Sequence, residues 1–406
     1  MGGGASGFFC AVNAATMNPD LKVVILEKTS KVLSKVKASG GGRCNVTHAC
    51  YERSEMTERY PRGKSLLKKS FYQFFTKDTI EWFASKGIQL KEEKDGRMFP
   101  VSNTSQTIID CLLQEATMHK VQVLLNRSVS RVEKLEDDFQ IHTNHGESIA
   151  ANFVVIACGG FPKLESYDWI RNLGHTIIPP VPSLFTFNLP GHSIHELMGV
   201  SVPEARVKLL GGKLEASGPL LITHWGLSGP AILKLSAWAA RQLAESQWNF
   251  KVLIQWDVNL KEDFVRGTMA EIRTSIASQK ISTKCPFGLP SRLWMYLLSN
   301  AGISSEMRWA DLPSKEQNLL IKHICSFEVE VKGKTTFKEE FVTAGGVSLS
   351  DIDPQTMMSK RVPHLFFTGE VMDVDGITGG YNFQNAWTSG WIAAKEIARL
   401  AFIEEK

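Results

Sequence analysis

Phe8, Val12 and Ala15 share one face of an apolar helical pattern near the start of the chain. The turn Asn18-Pro19-Asp20 then leads into Leu21-Lys22-Val23-Val24-Ile25-Leu26, a β-branched run that reads as a strand ending at Glu27. Helical spacing returns over 64–86 through Leu66, Leu67, Phe71, Phe74, Phe75, Ile80 and Phe83, and again over 104–119. Short strands follow at Val121–Leu125, Ser128–Glu133 and Phe139–Thr143, the pattern of a parallel strand and a β-meander crossover. The meander returns as Phe153-Val154-Val155-Ile156-Ala157-Cys158-Gly159-Gly160, an apolar strand ending in small residues that let a ligand approach the backbone.

From about 181 the texture changes to Pro-punctuated strands, Pro182–Leu189, Ala205–Leu210, Leu220–Thr223 and Phe250–Trp256, which predict a β-rich, barrel-like domain. Helical patterning resumes over 259–325 with Met269, Ile272, Ile276, Trp294, Leu297 and Leu298. Strands return at Phe327–Val331, Thr335–Phe341 and Thr343–Val347. The expected architecture is α/β. A first domain is built from both chain ends, 1–180 and 343–406, with a β-rich insertion at 181–258, a helical insertion at 259–325 and return strands at 326–342.

Composition excludes little beyond extremes. The 406 residues are 43% apolar with a net charge of +4, enough for large cores and no strong electrostatic bias. Arg59, Arg62, Lys64, Lys68 and Lys69 cluster, but interleaved with apolar residues, so they read as a solvated helix face; no aromatic-basic stripe stands out, and no nucleic-acid partner is expected. No apolar window is long enough for a transmembrane helix, so no membrane association is expected. Seven cysteines without a C-x-x-C suggest reduced thiols in a reducing compartment, cytoplasmic or organellar, and no zinc site.

The glycines carry the chemistry. Gly2-Gly3-Gly4-Ala5-Ser6-Gly7 is a complete G-x-G-x-x-G: one glycine for a tight turn, one for approach to a pyrophosphate, one for helix packing. Glu27, twenty residues after Gly7, is placed to accept ribose hydroxyls, with Lys28 beside it. Alone, these residues also suit a flexible tail and a surface acid. In a dinucleotide fold a strand of about eight apolar residues should precede Met1, so a truncated or mis-started chain lacking its first strand is expected. Ser39-Gly40-Gly41-Gly42-Arg43-Cys44-Asn45 suits close approach to a phosphate or flavin ring. In it Arg43 either pairs with a pyrophosphate or braces the loop, and Cys44 reads as a packed thiol. His364–Glu370 is a strand ending in Gly369-Glu370. Gly376–Gln384 then feeds a helix of about eighteen residues with Trp387, Trp391, Ala394 and Ala398 in a stripe. Asp373 and Asp375 are open between ligand contacts and turn capping.

Lys35–Asn45, Thr223–Pro230, Thr343–Val347 and Thr368–Asn382 together resemble the BaiN-like or aminoacetone-oxidase-like flavoproteins of bacteria and plants, NAD(P)/FAD-dependent oxidoreductases, from Gly2 to about Ala398. The resemblance implies FAD in a discontinuous Rossmann-type domain with an inserted barrel and a helical subdomain. The cofactor set it suggests is Gly2, Gly4, Ala5, Ser6, Gly7, Glu27, Lys28, Lys35, Ser39, Gly40, Gly41, Gly42, Arg43, Cys44, Asn45, Ala157, Gly159, Gly160, Gly369, Glu370, Asp373, Gly379, Gly380 and Asn382. The expected reaction is hydride transfer through flavin N5, to or from a small organic substrate lying between the flavin and β-rich domains. Amine oxidation and NAD(P)H-dependent C=C reduction are both open. With a single G-x-G-x-x-G, NAD(P)H is expected only as a transient reductant. His224 and Tyr381 are the polar catalytic candidates, each with a structural role as the alternative. Two other readings stay open: a non-catalytic remnant and an RNA-modifying flavoprotein.

Overall fold

The structure, a computed structural model, describes residues 1–335 and 342–404. α1 (Ala5–Met17) buries every residue from Ser6 to Ala15; a helix covered all round is a core helix, and its small alanines let neighbours approach. Asn18 Oδ1 accepts from Asp20 N at 3.1 Å and turns the chain into β1 (Val24–Leu26). Next come α2 (Ser34–Gly42), α3 (Lys64–Ser70) and α4 (Thr76–Ser85). The helix expected over 64–86 is therefore broken: Phe75 N donates to Asp78 Oδ2 at 2.7 Å and starts α4 afresh. α5 (Gln106–Met118) leads to β2 (Gln122–Leu124), which pairs in parallel with β1, Ile25 opposite Val123.

A three-stranded antiparallel meander, Val129–Lys134, Phe139–Thr143 and Ser148–Ala151, returns the chain to β3 (Val154–Ile156). β3 pairs in parallel with β4 (Leu365–Phe367). Met1 to Gly3 bond to both parallel pairs. The Met1 amino group donates to Val155 O at 2.7 Å, Ala157 N donates to Met1 O at 2.8 Å, and Gly2 N donates to Leu26 O at 2.8 Å. α6 (Tyr381–Glu404) packs on α1, so close at Gly390 that a Cβ there would lie 2.8 Å from Ser6 O. Phe9 centres this core, its ring 5.5 Å from Phe74, 4.6 Å from Trp82 and 5.1 Å from Trp387. Burying each such ring contributes about 1.5–3 kcal/mol.

The chain divides into two units: Met1–Ser183 with Phe337–Lys406, and Leu184–Thr336. The single strand expected over Pro182–Leu189 is split between them. Ile177–Ser183 pairs with Val342–Val347 in the first unit and Thr186–Asn188 belongs to the second, because Leu184 takes φ 53 and breaks the extended run. The second unit holds a seven-stranded antiparallel sheet in the order 327–332, 249–255, 201–209, 215–222, 226–228, 186–188, 334–335. Its two edges come from one segment joined at Gly333, whose carbonyl accepts from Asn188 N at 3.3 Å. Helices Pro230–Glu245, Glu262–Ser275, Ser291–Asn300 and Ser314–Cys325 accompany it. Most of the strand expected over Thr335–Phe341 lies outside the described residues, whereas the rest of the return strands expected at 326–342 is present as Phe327–Lys332 and Lys334–Thr335.

Candidate cofactor site

The glycine turn before α1 is held by its own strand-end acid. Glu27 Oε2 accepts from Gly3 N at 2.8 Å, while its Oε1 accepts from Thr29 N and Thr29 Oγ1, both at 2.9 Å. A Cβ on Gly7 would sit 2.0 Å from Gly2 O, so only glycine lets helix and turn close on each other. Gly4 is the N-cap, extended and without a side-chain cap, which leaves first-turn N–H groups and the positive dipole end facing outward. Ser6 Oγ donates to Thr368 O at 3.4 Å, and Lys28 Nζ lies 5.4 Å from the Phe161 ring centre.

The second loop forms because α2 fails at its glycines. Ser39 leaves helical geometry and Gly40, Gly41 and Gly42 take φ 59, 67 and 84, left-handed values cheap only for glycine. Arg43 braces this loop: Nη1 reaches Glu93 Oε1 at 2.5 Å, the guanidinium lies 4.0 Å over Phe99, and Nε donates to Gly40 O at 3.4 Å. Cys44 is fully buried and its thiol is pushed up to about 12 by that burial, so it is a packed residue. Asn45, oriented to satisfy both ends, donates to Thr47 O and accepts from Gly380 N, each at 2.9 Å. It therefore ties the second glycine loop to the start of α6.

Lys35 Nζ pairs with Glu370 Oε2 at 2.5 Å, and Glu370 Oε1 accepts from Thr343 N at 2.9 Å. Gly160 faces Thr343, with space for no more than its hydrogen: a Cβ would lie 2.3 Å from Thr343 Oγ1. Gly369 touches Ser6 in the same way, and Asp373 N donates to Val347 O at 3.0 Å. Asn382 is a loop brace, its Oδ1 accepting from Gly376 N at 2.8 Å and its Nδ2 donating to Gly376 O at 2.9 Å. The loop is anchored by a buried pair. Arg62 grips Asp375 through Nε and Nη2, and Ser183 Oγ donates to Asp375 Oδ2 at 2.7 Å. Burial raises the Asp375 carboxyl above its ordinary value against the pull of Arg62.

Tyr381, at the start of α6, is 4% exposed and stacks on His48 with ring centres 4.8 Å apart. His48 Nδ1 donates to Gly379 O at 3.0 Å, and burial lowers the affinity of its ring for a second proton. Tyr60 closes the other side, edge-on at 6.0 Å, with its hydroxyl donating to Tyr381 O at 2.7 Å. Burial pushes the Tyr381 hydroxyl up to about 12, and the Arg59 charge pulls the other way. His224 is elsewhere in the chain's organisation, exposed in the second unit and packed edge-on against Trp225. His48, Tyr60 and Arg59 were not singled out by spacing as partners of Tyr381, since nothing local connects them.

A dinucleotide fits these residues on three observations. A Cβ at Gly4, Gly41, Gly42 or Gly159 would meet no atom within 4 Å, so those backbones face open space. The helix N-terminus beside Gly4 is uncapped above the Glu27 carboxylate. Buried Thr343 Oγ1, Thr368 Oγ1 and Asn385 Oδ1 have no hydrogen-bond partner. A cavity of about 880 Å³ lined by Ser130, Glu133, Trp169 and Val362 lies against the meander, away from the glycine loops. Among the described residues no cluster of three His, Cys, Asp or Glu suits a metal ion, and no helix is long and apolar enough to cross a membrane.

The fold is of Rossmann type, and the chain is a flavoprotein oxidoreductase. The chain belongs to the HI0933-like protein Rossmann domain family, whose model matches residues 1–396. It is 29% identical to a 3-dehydro-bile acid delta(4,6)-reductase of Clostridium scindens, over 98% of both chains. It is 31% identical to a ribosomal RNA dihydrouridine synthase of Escherichia coli, over 98% of this chain and 96% of that one. Among solved structures, a 3-ketosteroid delta1-dehydrogenase from Sterolibacterium denitrificans superposes with a TM-score of 0.52 at 12% identity, 98% of each chain covered, a likeness of fold alone.

Proposed function

We propose that the chain saturates a carbon–carbon double bond conjugated to a carbonyl, and that its substrate is a uracil ring in RNA. The observation that carries this is the full-length likeness to relatives whose names denote saturation of a ring double bond, in a dihydrouridine synthase and in a delta(4,6)-reductase. Of amine oxidation and C=C reduction, these names favour reduction. The relatives at 30% identity or more, from Escherichia coli and Haemophilus influenzae, favour uridine over a steroid. This reading takes the RNA-modifying alternative over the small organic substrate expected first.

In this reading the α1 N-terminus and Gly4 would hold the pyrophosphate, Glu27 the ribose, and Gly40 to Gly42 the ring system of FAD. Once reduced by NAD(P)H as the transient reductant, FAD bound here would supply hydride chemistry for the β-carbon of the conjugated system. Tyr381 supplies the proton for the α-carbon. Its hydroxyl stays protonated across physiological pH, and its ring is clamped between His48 and Tyr60. The N–H groups opening α6 after Gly380 stabilise negative charge as it develops.

Visible absorbance and chromatography of heat-released cofactor test for FAD. The FAD-loaded chain is then given NADPH and uridine-containing RNA, and dihydrouridine is sought by mass spectrometry as a gain of two hydrogens. A colourless protein would support the remnant reading. Amine-dependent oxygen uptake without C=C reduction would overturn the proposal, and reduction of a 3-keto-4-ene steroid with RNA untouched would replace the uracil ring.

A further inference from the structure

The segments 50–53 and 71–77 are joined by contacts between cations and rings. The Arg53 guanidinium lies 4.7 Å over Tyr72 and 5.7 Å from Phe75, and its Nε donates to Phe71 O at 3.0 Å. Lys77 Nζ lies 5.8 Å over Tyr51. Both tyrosines face solvent, Tyr72 at 70% exposure and Tyr51 at 46%. A ring held that far out adds little to core burial and leaves a π-face available. Lys68 and Lys69, exposed in the last turn of α3, precede Tyr72. Glu52 and Glu55 stand near Arg53 in sequence and moderate the local charge.

Beneath this face a ladder of buried rings runs to the candidate catalytic tyrosine. Ring centres step from Tyr381 to Tyr60 at 6.0 Å, from Tyr60 to Phe71 at 6.0 Å, and from Phe71 to Phe75 at 5.0 Å, where Arg53 and Tyr72 take over. Exposed aromatic faces interleaved with cations are what single strands bind: bases stack on the rings and phosphates pair with the charges. The expectation of no aromatic-basic surface is thereby revised, because its members sit about twenty residues apart in sequence and meet only in the fold.

We propose that Tyr51, Arg53, Tyr72 and Lys77, with Lys68 and Lys69, form a docking face for single-stranded RNA. The proposal rests on the reading of RNA as substrate, and it assigns a binding role to residues outside the glycine motifs. Phosphate contacts from Lys68, Lys69 and Lys77 make binding salt-dependent, and stacking on Tyr72 makes it depend on a ring at that position.

The test is fluorescence anisotropy of the FAD-loaded full chain with a labelled oligouridylate across a salt series. Tyr72→Ala weakens binding about 5- to 150-fold, and Tyr72→Phe restores it. Lys68→Gln with Lys69→Gln lowers the magnitude of the log–log salt slope by about 1.4. Thermal melting checks that each variant is folded. Affinity within two-fold of wild type in Tyr72→Ala, or no oligouridylate binding by the wild type, overturns the face. Mass spectrometry of the same RNA separates the two claims. Dihydrouridine formed with affinity unchanged in Tyr72→Ala removes the face and keeps the function, whereas binding lost in Tyr72→Ala with no dihydrouridine formed by the wild type keeps the face and removes the function.

Discussion

Replacing Asp375 by Ala should be among the most damaging single changes away from the core. The side chains of Arg62 and Asp375 are only 12% and 0% exposed, and the guanidinium grips the carboxylate through two nitrogens while Ser183 supplies a third donor. Deleting the acid strips a largely buried guanidinium of the carboxylate it grips, a loss of about 3–5 kcal/mol. Lys64–Glu58, with side chains 51% and 60% exposed, is the matched surface pair, and Lys64→Met should cost under about 1 kcal/mol. Arg62→Met combined with Asp375→Leu removes both charges and should recover most of the loss. The assay is amide hydrogen exchange read on peptides covering 59–63 and 369–380, since a chain of two units need not unfold in one step. Raising salt to 1 M, where screening acts within about 3 Å, should leave the Asp375→Ala cost unchanged because the charge is shielded from ions. A cost below about 1 kcal/mol, or a double variant as unstable as the single one, would refute the reasoning.

Gly7→Ala places a Cβ 2.0 Å from Gly2 O, so the turn must move; overpacking costs about 1–3 kcal/mol, and flavin absorbance per chain should fall sharply. Tyr381→Phe should leave flavin reduction by NADPH intact and slow product formation about 10²–10⁴-fold, whereas a packing role would leave product formation within about three-fold. Burial holds His48, His175, His192 and His323 below the usual imidazole value, so the fold favours their neutral forms. The unfolded chain then takes up protons first: stability is full above about pH 6.5 and falls as pH drops through the lowered values. Urea midpoints at pH 7.5 and 5.5 check the sign, and a midpoint that rises on acidification would refute it.

What the sequence makes legible here is what lies within one turn of chain. The Gly2–Gly7 and Gly40–Gly42 loops declare themselves because glycine spacing encodes a backbone shape directly, and Glu27 follows from the length of one helix and one strand. Their partnerships are another matter. Asn45 meets Gly380, Arg62 meets Asp375 and His48 meets Tyr381 across more than 300 residues, and no local pattern distinguishes those side chains from solvated ones. The break between α3 and α4 was hidden for a related reason: Phe71, Phe74 and Phe75 keep helical spacing through a turn that is not helical, because all three are buried whichever way the backbone goes. Arg43 shows the limit most clearly. Its position beside three glycines suits a phosphate, yet Glu93, fifty residues on, takes its guanidinium and Phe99 takes its face. A cation in a glycine loop therefore argues for a ligand only after the acids of the neighbouring strands have been placed.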